Sequence, residues 1–256
     1  YDAVFYGHVG HYHCPNCGLQ RPTPTIRLGR LMLNGVVGSQ LAIADAEGGF
    51  DVRLPVPGLY NALNATGAAA AALALSVAPK QIRDALEGFT AAFGRIERIA
   101  IQGRDVLMAL IKNPVGASET VRMITAGGSS DNRAPGDGNQ AGDAQSLNLL
   151  IVINDKIADG TDVSWLWDAD FERLAQQVAQ VVVSGTRAAD MAVRLKYAGV
   201  ASDRIITEPE LGAALDRVLA LGDSSQPLYL LPTYTAMLQL REELVRRGLV
   251  KPFWED

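Results

Sequence analysis

The sequence predicts an α/β protein whose larger part is a mostly parallel sheet covered by helices on both faces. Three observations carry this expectation. From residue 98 onward, short runs rich in Val, Ile and Leu alternate with helical segments, as parallel strands joined by crossover helices require. The run 147–154 is almost continuously apolar, as befits a strand buried on both faces. Residues 25–56 differ: strand-like stretches there are broken by Gly38 and by Glu47-Gly48-Gly49, which reads as a smaller β unit closed by turns.

The elements follow in order. After Pro55-Val-Pro57-Gly58 an alanine-rich helix is expected to about residue 77, and a second helix starts after Pro79 and ends near Gly88. Beyond them, strands are expected at 106–112, 147–154, 180–184, 204–207 and 227–231. Helices are expected at 118–126, 171–179, 187–198, 208–221 and 235–247. The junction Gly88-Phe-Thr-Ala-Ala-Phe93-Gly94-Arg95-Ile-Glu97 divides the chain into units 1–92 and 93–256. The stretch 127–145, rich in Gly, Ser, Asp and Asn, reads as a polar surface insertion.

Bulk properties narrow the function classes. The 256 residues suffice for two modest domains, and 48% apolar with 20% charged residues is an ordinary globular composition. No apolar run reaches the roughly eighteen residues of a membrane span. The net charge is −5 and basic residues are scattered, which argues against a nucleic-acid footprint. The chain opens on Tyr1 without a signal peptide and reads as a piece of a longer protein. With its two cysteines spaced Cys-x-x-Cys rather than as a disulfide framework, a cytoplasmic setting is expected.

Residues 1–22 hold all three histidines and both cysteines. Cys14-Pro-Asn-Cys17-Gly reads as a zinc-knuckle turn, and a structural zinc needs four ligands. Two completions stay open. Cys14 and Cys17 are half a zinc ribbon whose second pair lies before Tyr1, or His8, His11 or His13 supply the remaining ligands. A redox pair is the weaker reading, because no thioredoxin-like βαβ pattern surrounds it.

The segment with the most unusual chemistry is Asp159-Gly-Thr-Asp162-Val-Ser-Trp165-Leu-Trp167-Asp168-Ala-Asp170-Phe-Glu172. It follows the apolar run 147–154, and ligands of open α/β sheets bind beyond the carboxyl ends of such strands. Tryptophan walls can hold and tune a carboxylate. The plainer reading is a helix start, with Asp or Ser as cap and acids in the first turn. Two further motifs are Gly58-Leu-Tyr60-Asn61-Ala-Leu-Asn64, opening a helix, and Lys112-Asn113-Pro114-Val-Gly116, ending a strand. Both also suit plain caps and turns. No Gly-x-x-x-x-Gly-Lys-[Ser/Thr] phosphate loop and no Gly-x-Gly-x-x-Gly dinucleotide fingerprint occurs, and the latter weighs against an NAD enzyme.

Taken together these motifs resemble MurT-like chains of the Mur ligase family over nearly the whole length. The Trp-Asp segment and Lys-Asn-Pro-Val-Gly are the two most specific matches. The resemblance implies a Mur-ligase-like fold: a partial central domain carrying half a zinc ribbon, then a Rossmann-like, mostly parallel α/β C-terminal domain. The missing phosphate loop would lie in an N-terminal part not included here. The resemblance also implies ATP-dependent amidation of the D-glutamate α-carboxylate of the lipid II stem peptide, through an acyl phosphate. Ammonia would come from a GatD-type glutamine amidotransferase partner, and Mg²⁺ would accompany ATP.

Residue by residue, Asn61 and Asn64 stand where family asparagines lie beside the nucleotide, with Tyr60 at a position the wider family gives to histidine. Arg95 of Phe-Gly-Arg stands at the hinge, where it would reach the nucleotide phosphates. Lys112 and Asn113 stand in the substrate cleft. One aspartate is implied to complete the partner's cysteine–histidine pair; Asp168 is the choice, with Asp162 and Asp170 as alternatives. Two rival readings remain: another Mur-type amino-acid ligase, and a non-catalytic zinc-ribbon docking scaffold.

Overall fold

The computed structural model describes residues 1–6, 9–45, 48–89, 96–126, 146–223 and 226–251. His8, Arg95 and the stretch 127–145 therefore lie outside the described residues. A short antiparallel pair, β1 (Ala3–Tyr6) and β2 (Val9–His11), precedes the cysteine turn. Next comes a three-stranded antiparallel sheet of β3 (Arg27–Leu33), β4 (Ser39–Ala44) and β5 (Phe50–Leu54), in that order. Helices α1 (Leu59–Ala74) and α2 (Pro79–Glu87) follow.

Period-two patterning builds the core of this first unit. Leu41 and Ile43 on β4, with Phe50, Val52 and Leu54 on β5, turn inward and meet Ala65, Ala69 and Ile82 of the helices. Alanine on the inner stripe of α1 lets that helix lie close to the sheet. Gly58 starts α1 at φ 97°, a conformation glycine adopts without a Cβ penalty.

The second unit is a six-stranded sheet in the order β10-β9-β8-β11-β7-β6. Its strands are β6 (Ile96–Ile101), β7 (Arg104–Ala109), β8 (Leu147–Val152), β9 (Val178–Ser184), β10 (Ile205–Thr207) and β11 (Leu228–Pro232). All pairings are parallel except β6–β7. Alternation sends Leu149, Ile151, Val181, Val183 and Leu231 to one face, against α3 (Pro114–Thr125) and α4 (Ala188–Tyr197). Leu150, Val152, Val182, Leu228 and Leu230 face the other way, against α5 (Leu211–Leu219) and α6 (Tyr234–Arg246). Every residue of β8 and β11 is buried, as helices on both faces demand.

The expected alternation of strands and helices is present, with three corrections. The helix expected at 171–179 is only a single 3₁₀ turn, Phe171–Leu174, and β9 already begins at Val178. Phe171 and Leu174 are buried as anchors, and Leu147 N donates to Gln177 O at 2.7 Å, so pairing with β8 has begun where the helix would have run. The valine run 181–183 then favours strand. The antiparallel edge strand β6 also went unforeseen. Helix α3 begins four residues before its expected start, because Asn113 caps it and Pro114 occupies the first helical position.

Candidate functional site

The carboxyl ends of β8, β9 and β11 meet in a polar network centred on Asn154, which is 3% exposed. Its backbone N–H donates to Thr233 Oγ1 at 3.0 Å. Its Nδ2 donates to Thr235 Oγ1 at 3.0 Å and to Gln239 Oε1 at 2.9 Å, and its Oδ1 accepts Thr186 N at 3.2 Å. One amide thus ties three strand ends together. Gly185 lies against it: at φ +89° an added Cβ would sit 2.5 Å from Ile153 O and 2.8 Å from Asn154 Oδ1. Asp159 closes the adjoining turn, accepting Thr235 N at 2.7 Å and Thr235 Oγ1 at 2.6 Å, so its carboxylate sits on the positive end of α6. Asp155 accepts the Thr186 hydroxyl at 2.7 Å and pairs with Arg187 at 2.9 Å; these, the hydroxyl first, hold its carboxyl below the ordinary aspartate range.

Lys112 and Asn113 follow β7 at the same edge of the sheet. Lys112 is exposed, and its ammonium has no partner among the described residues. Asn113 is exposed too, but its Oδ1 accepts Gly116 N at 2.8 Å, which commits that oxygen to capping α3. One turn later Ser118 Oγ accepts Asp170 N at 3.0 Å, linking α3 to the Trp-Asp segment.

That segment is two 3₁₀ turns, Ser164–Trp167 and Phe171–Leu174. Its three candidate aspartates differ sharply. Asp162 accepts Ser164 N at 2.8 Å, and this N–H lowers its pKa. Asp170 pairs with Arg173 at 2.7 Å. Asp168 is exposed, and its carboxylate has neither a hydrogen bond nor an ion pair among the described residues. Beside it stands Trp167, 54% exposed and edge-on to Tyr197 at 5.7 Å between centroids. Beneath lies Arg194, 2% exposed, donating to Leu166 O at 2.8 Å, Ala169 O at 2.7 Å and Glu172 Oε1 at 2.8 Å.

In the first unit, Asn61 is half-buried and turns its Nδ2 back onto Pro57 O at 2.6 Å, while Asn64 is exposed on α1. The cysteine turn is formed: Gly18 N donates to Cys14 O at 2.9 Å with Gly18 at φ +74°. The Cys14 thiol is held below its ordinary value by the backbone N–H of Cys17, then by that of Asn16, an arrangement that favours a metal-binding thiolate. Two sulfurs fit half of a tetrahedral zinc set. Among the described residues no third His, Cys, Asp or Glu joins them, and His13 Nδ1 is 2.7 Å from Asp2.

Comparison with known proteins follows the same lines. The family model for the MurT ligase C-terminal region matches residues 110–237, half of the chain, from the end of β7 into α6. The chain belongs to the MurT ligase family. It is 32% identical over 252 residues to the MurT subunit of the glutamine-hydrolysing lipid II isoglutaminyl synthase of Streptococcus pneumoniae, covering 98% of this chain and 52% of that one. The corresponding Staphylococcus aureus subunit (strain COL) is 29% identical over 247 residues, covering 96% and 50%. The chain thus spans about half the length of the curated relatives it matches. A pseudomurein peptide ligase type C from Methanothermus fervidus superposes with a TM-score of 0.64 at 18% identity, over 96% of this chain and 47% of that chain. At that identity the likeness speaks for the fold, which is Mur-ligase-like.

Within this MurT-family chain, sequence reasoning found the Trp-Asp segment, Asp159 included, but missed Asn154, which ties the neighbouring strand ends together, and Arg194, which binds the segment from beneath. Arg194 did leave a signal. It is a charged residue next to Met191, Leu195 and Ala198 on the apolar stripe of α4, and a buried charge there has to be answered by partners.

Proposed function

We propose that this chain is part of the synthetase subunit of a glutamine-hydrolysing amidating ligase acting on the lipid II stem peptide. ATP, with Mg²⁺, would convert the D-glutamate α-carboxylate into an acyl phosphate, giving ammonia a leaving group to displace. The product would be D-isoglutamine. A GatD-type glutaminase would hydrolyse glutamine to supply the ammonia. Asp168 would complete that partner's cysteine–histidine pair, orienting the imidazole and stabilising its cation as third members of triads do. Lys112, with Asn113 beside it, would face the acyl phosphate from the end of β7, where ligands of α/β sheets bind. Asn61, Asn64 and Arg95 would belong to the nucleotide side, and Cys14 and Cys17 to a structural zinc. The reaction would take place in the cytoplasm, at the membrane face where lipid II resides; among the described residues no helix is long and apolar enough to cross a membrane.

The observation that carries this reading is the contrast among the aspartates. Asp162 and Asp170 spend their carboxylates within their own segment, whereas Asp168 presents a free one to solvent. The test is glutamine hydrolysis by the full-length protein with its glutaminase partner, comparing wild type with Asp168→Asn. Turnover should appear on mixing and fall by about 10³–10⁴-fold in the variant. Undiminished turnover would remove Asp168 from the reaction.

A further inference from the structure

We infer that Arg194 is the positioning residue for Asp168, holding its turn in one conformation before any partner arrives; this rests on the reading of Asp168 just proposed. The guanidinium grips the chain on both sides of that residue. Nε donates to Leu166 O at 2.8 Å, two residues before it, and Nη2 donates to Ala169 O at 2.7 Å, one residue after. Nη2 also reaches both carboxylate oxygens of Glu172, at 2.8 and 2.9 Å. The faces of the ion are used as well. Its Cζ lies 5.6 Å from the centroid of Trp167 and 5.5 Å from that of Phe171. Leu166, Trp167, Ala169, Phe171 and Glu172 are therefore all fixed by one side chain, while the Asp168 carboxylate between them is left untouched.

Packing alone would not select this arrangement. Met191 and Leu195 on the same helix are fully buried and apolar, and an apolar residue at 194 would fill the stripe without desolvating a charge. What an apolar residue could not do is bind the carbonyls of Leu166 and Ala169, which flank Asp168 on either side. Lysine could not either, because a point charge lacks the planar fork that serves several acceptors and two rings together. A carboxylate meant to enter another protein's site gains from such an arrangement. Displacement by about 1 Å from productive geometry can cost roughly 100-fold in rate.

The experiment is a double-mutant cycle on the full-length protein with its glutaminase partner, reading glutamine hydrolysis. The variants are Arg194→Lys, Glu172→Gln, Asp168→Asn and the two doubles with Asp168→Asn. Glu172→Gln touches a half-exposed side chain and keeps the guanidinium in place, so it remains informative if Arg194→Lys folds poorly. Circular dichroism and partner affinity are measured on every variant. A positioning role lowers kcat roughly 10- to 100-fold in Arg194→Lys, and less in Glu172→Gln, with KM for glutamine and partner affinity unchanged. Neither substitution lowers kcat further once Asp168 is Asn. Losses that multiply in the Asp168→Asn background, or singles that keep wild-type kcat while Asp168→Asn loses it, overturn the positioning role alone. Wild-type turnover in Asp168→Asn overturns both this inference and the triad reading.

Discussion

Arg194 and Glu172 form an ion pair in which one partner is almost wholly buried and the other is more than half exposed, with side-chain exposures of 3% and 57%. The carboxylate reaches inward to answer a charge that water cannot, so the pair joins α4 to the surface turn following Asp168. Such asymmetry makes the exposed member the one that responds to pH.

Hydrogen bonds from Arg194 hold the Glu172 carboxyl below the ordinary glutamate value of 4.5. The folded state therefore prefers its charged form. The stabilisation is present above the unfolded value and is lost as pH falls through the lower folded one. Glu172→Gln should reduce stability at neutral pH by about 1 kcal/mol, an amount limited by solvent screening. Melting temperatures of the two proteins should converge as pH falls below the ordinary glutamate range. A constant gap across that range would count against the pair.

Glu119 should behave in the opposite sense. It is 5% exposed on α3, and burial raises its pKa above the ordinary glutamate value while Arg122, at 3.1 Å, opposes the rise. Its contribution to stability is greatest below the unfolded value and is lost as pH rises through the folded one. Glu119→Gln should therefore leave the melting temperature at neutral pH unchanged or slightly higher, within about 1 kcal/mol. A large drop would show that the Arg122 pair outweighs desolvation.

Asp159 caps α6 from a distant loop, binding both the N–H and the hydroxyl of Thr235. Asp159→Ala should cost about 1–2 kcal/mol, the usual worth of a charged cap at a helix start. The loss should be local. Amide exchange should speed up at Thr235 and in the first turn of α6 while β11 stays protected. Uniform deprotection of the sheet would contradict a capping role.

The parts of this architecture legible in the sequence were those set by local pattern. The apolar run of β8 announced a buried strand, and Cys-Pro-Asn-Cys-Gly announced its turn. Lys-Asn-Pro marked the passage out of a strand, but β7 ends at Ala109 rather than at Lys112, and the Asn caps the helix that follows. What stayed hidden depends on residues far apart in the chain. The stretch 171–179 carries helix-forming residues, yet buried anchors and pairing with β8 override that propensity. Asp162, Asp168 and Asp170 look alike in sequence; only the folded turn shows which has been left free. Arg194 lies 22 residues beyond Glu172, and no local pattern ties them.

The strand order carries a consequence for synthesis on the ribosome. Strands β7 and β8 follow one another in the chain, yet β11 fills the place between them. Until residues 228–232 have left the exit tunnel, each of these two strands keeps an unpaired inner edge, an open template for pairing with another nascent chain. The nascent polypeptide therefore spends the translation of more than a hundred residues, from the end of β7 at Ala109 to the start of β11 at Leu228, with the middle of its principal sheet vacant. Chaperone dependence should be concentrated in that interval.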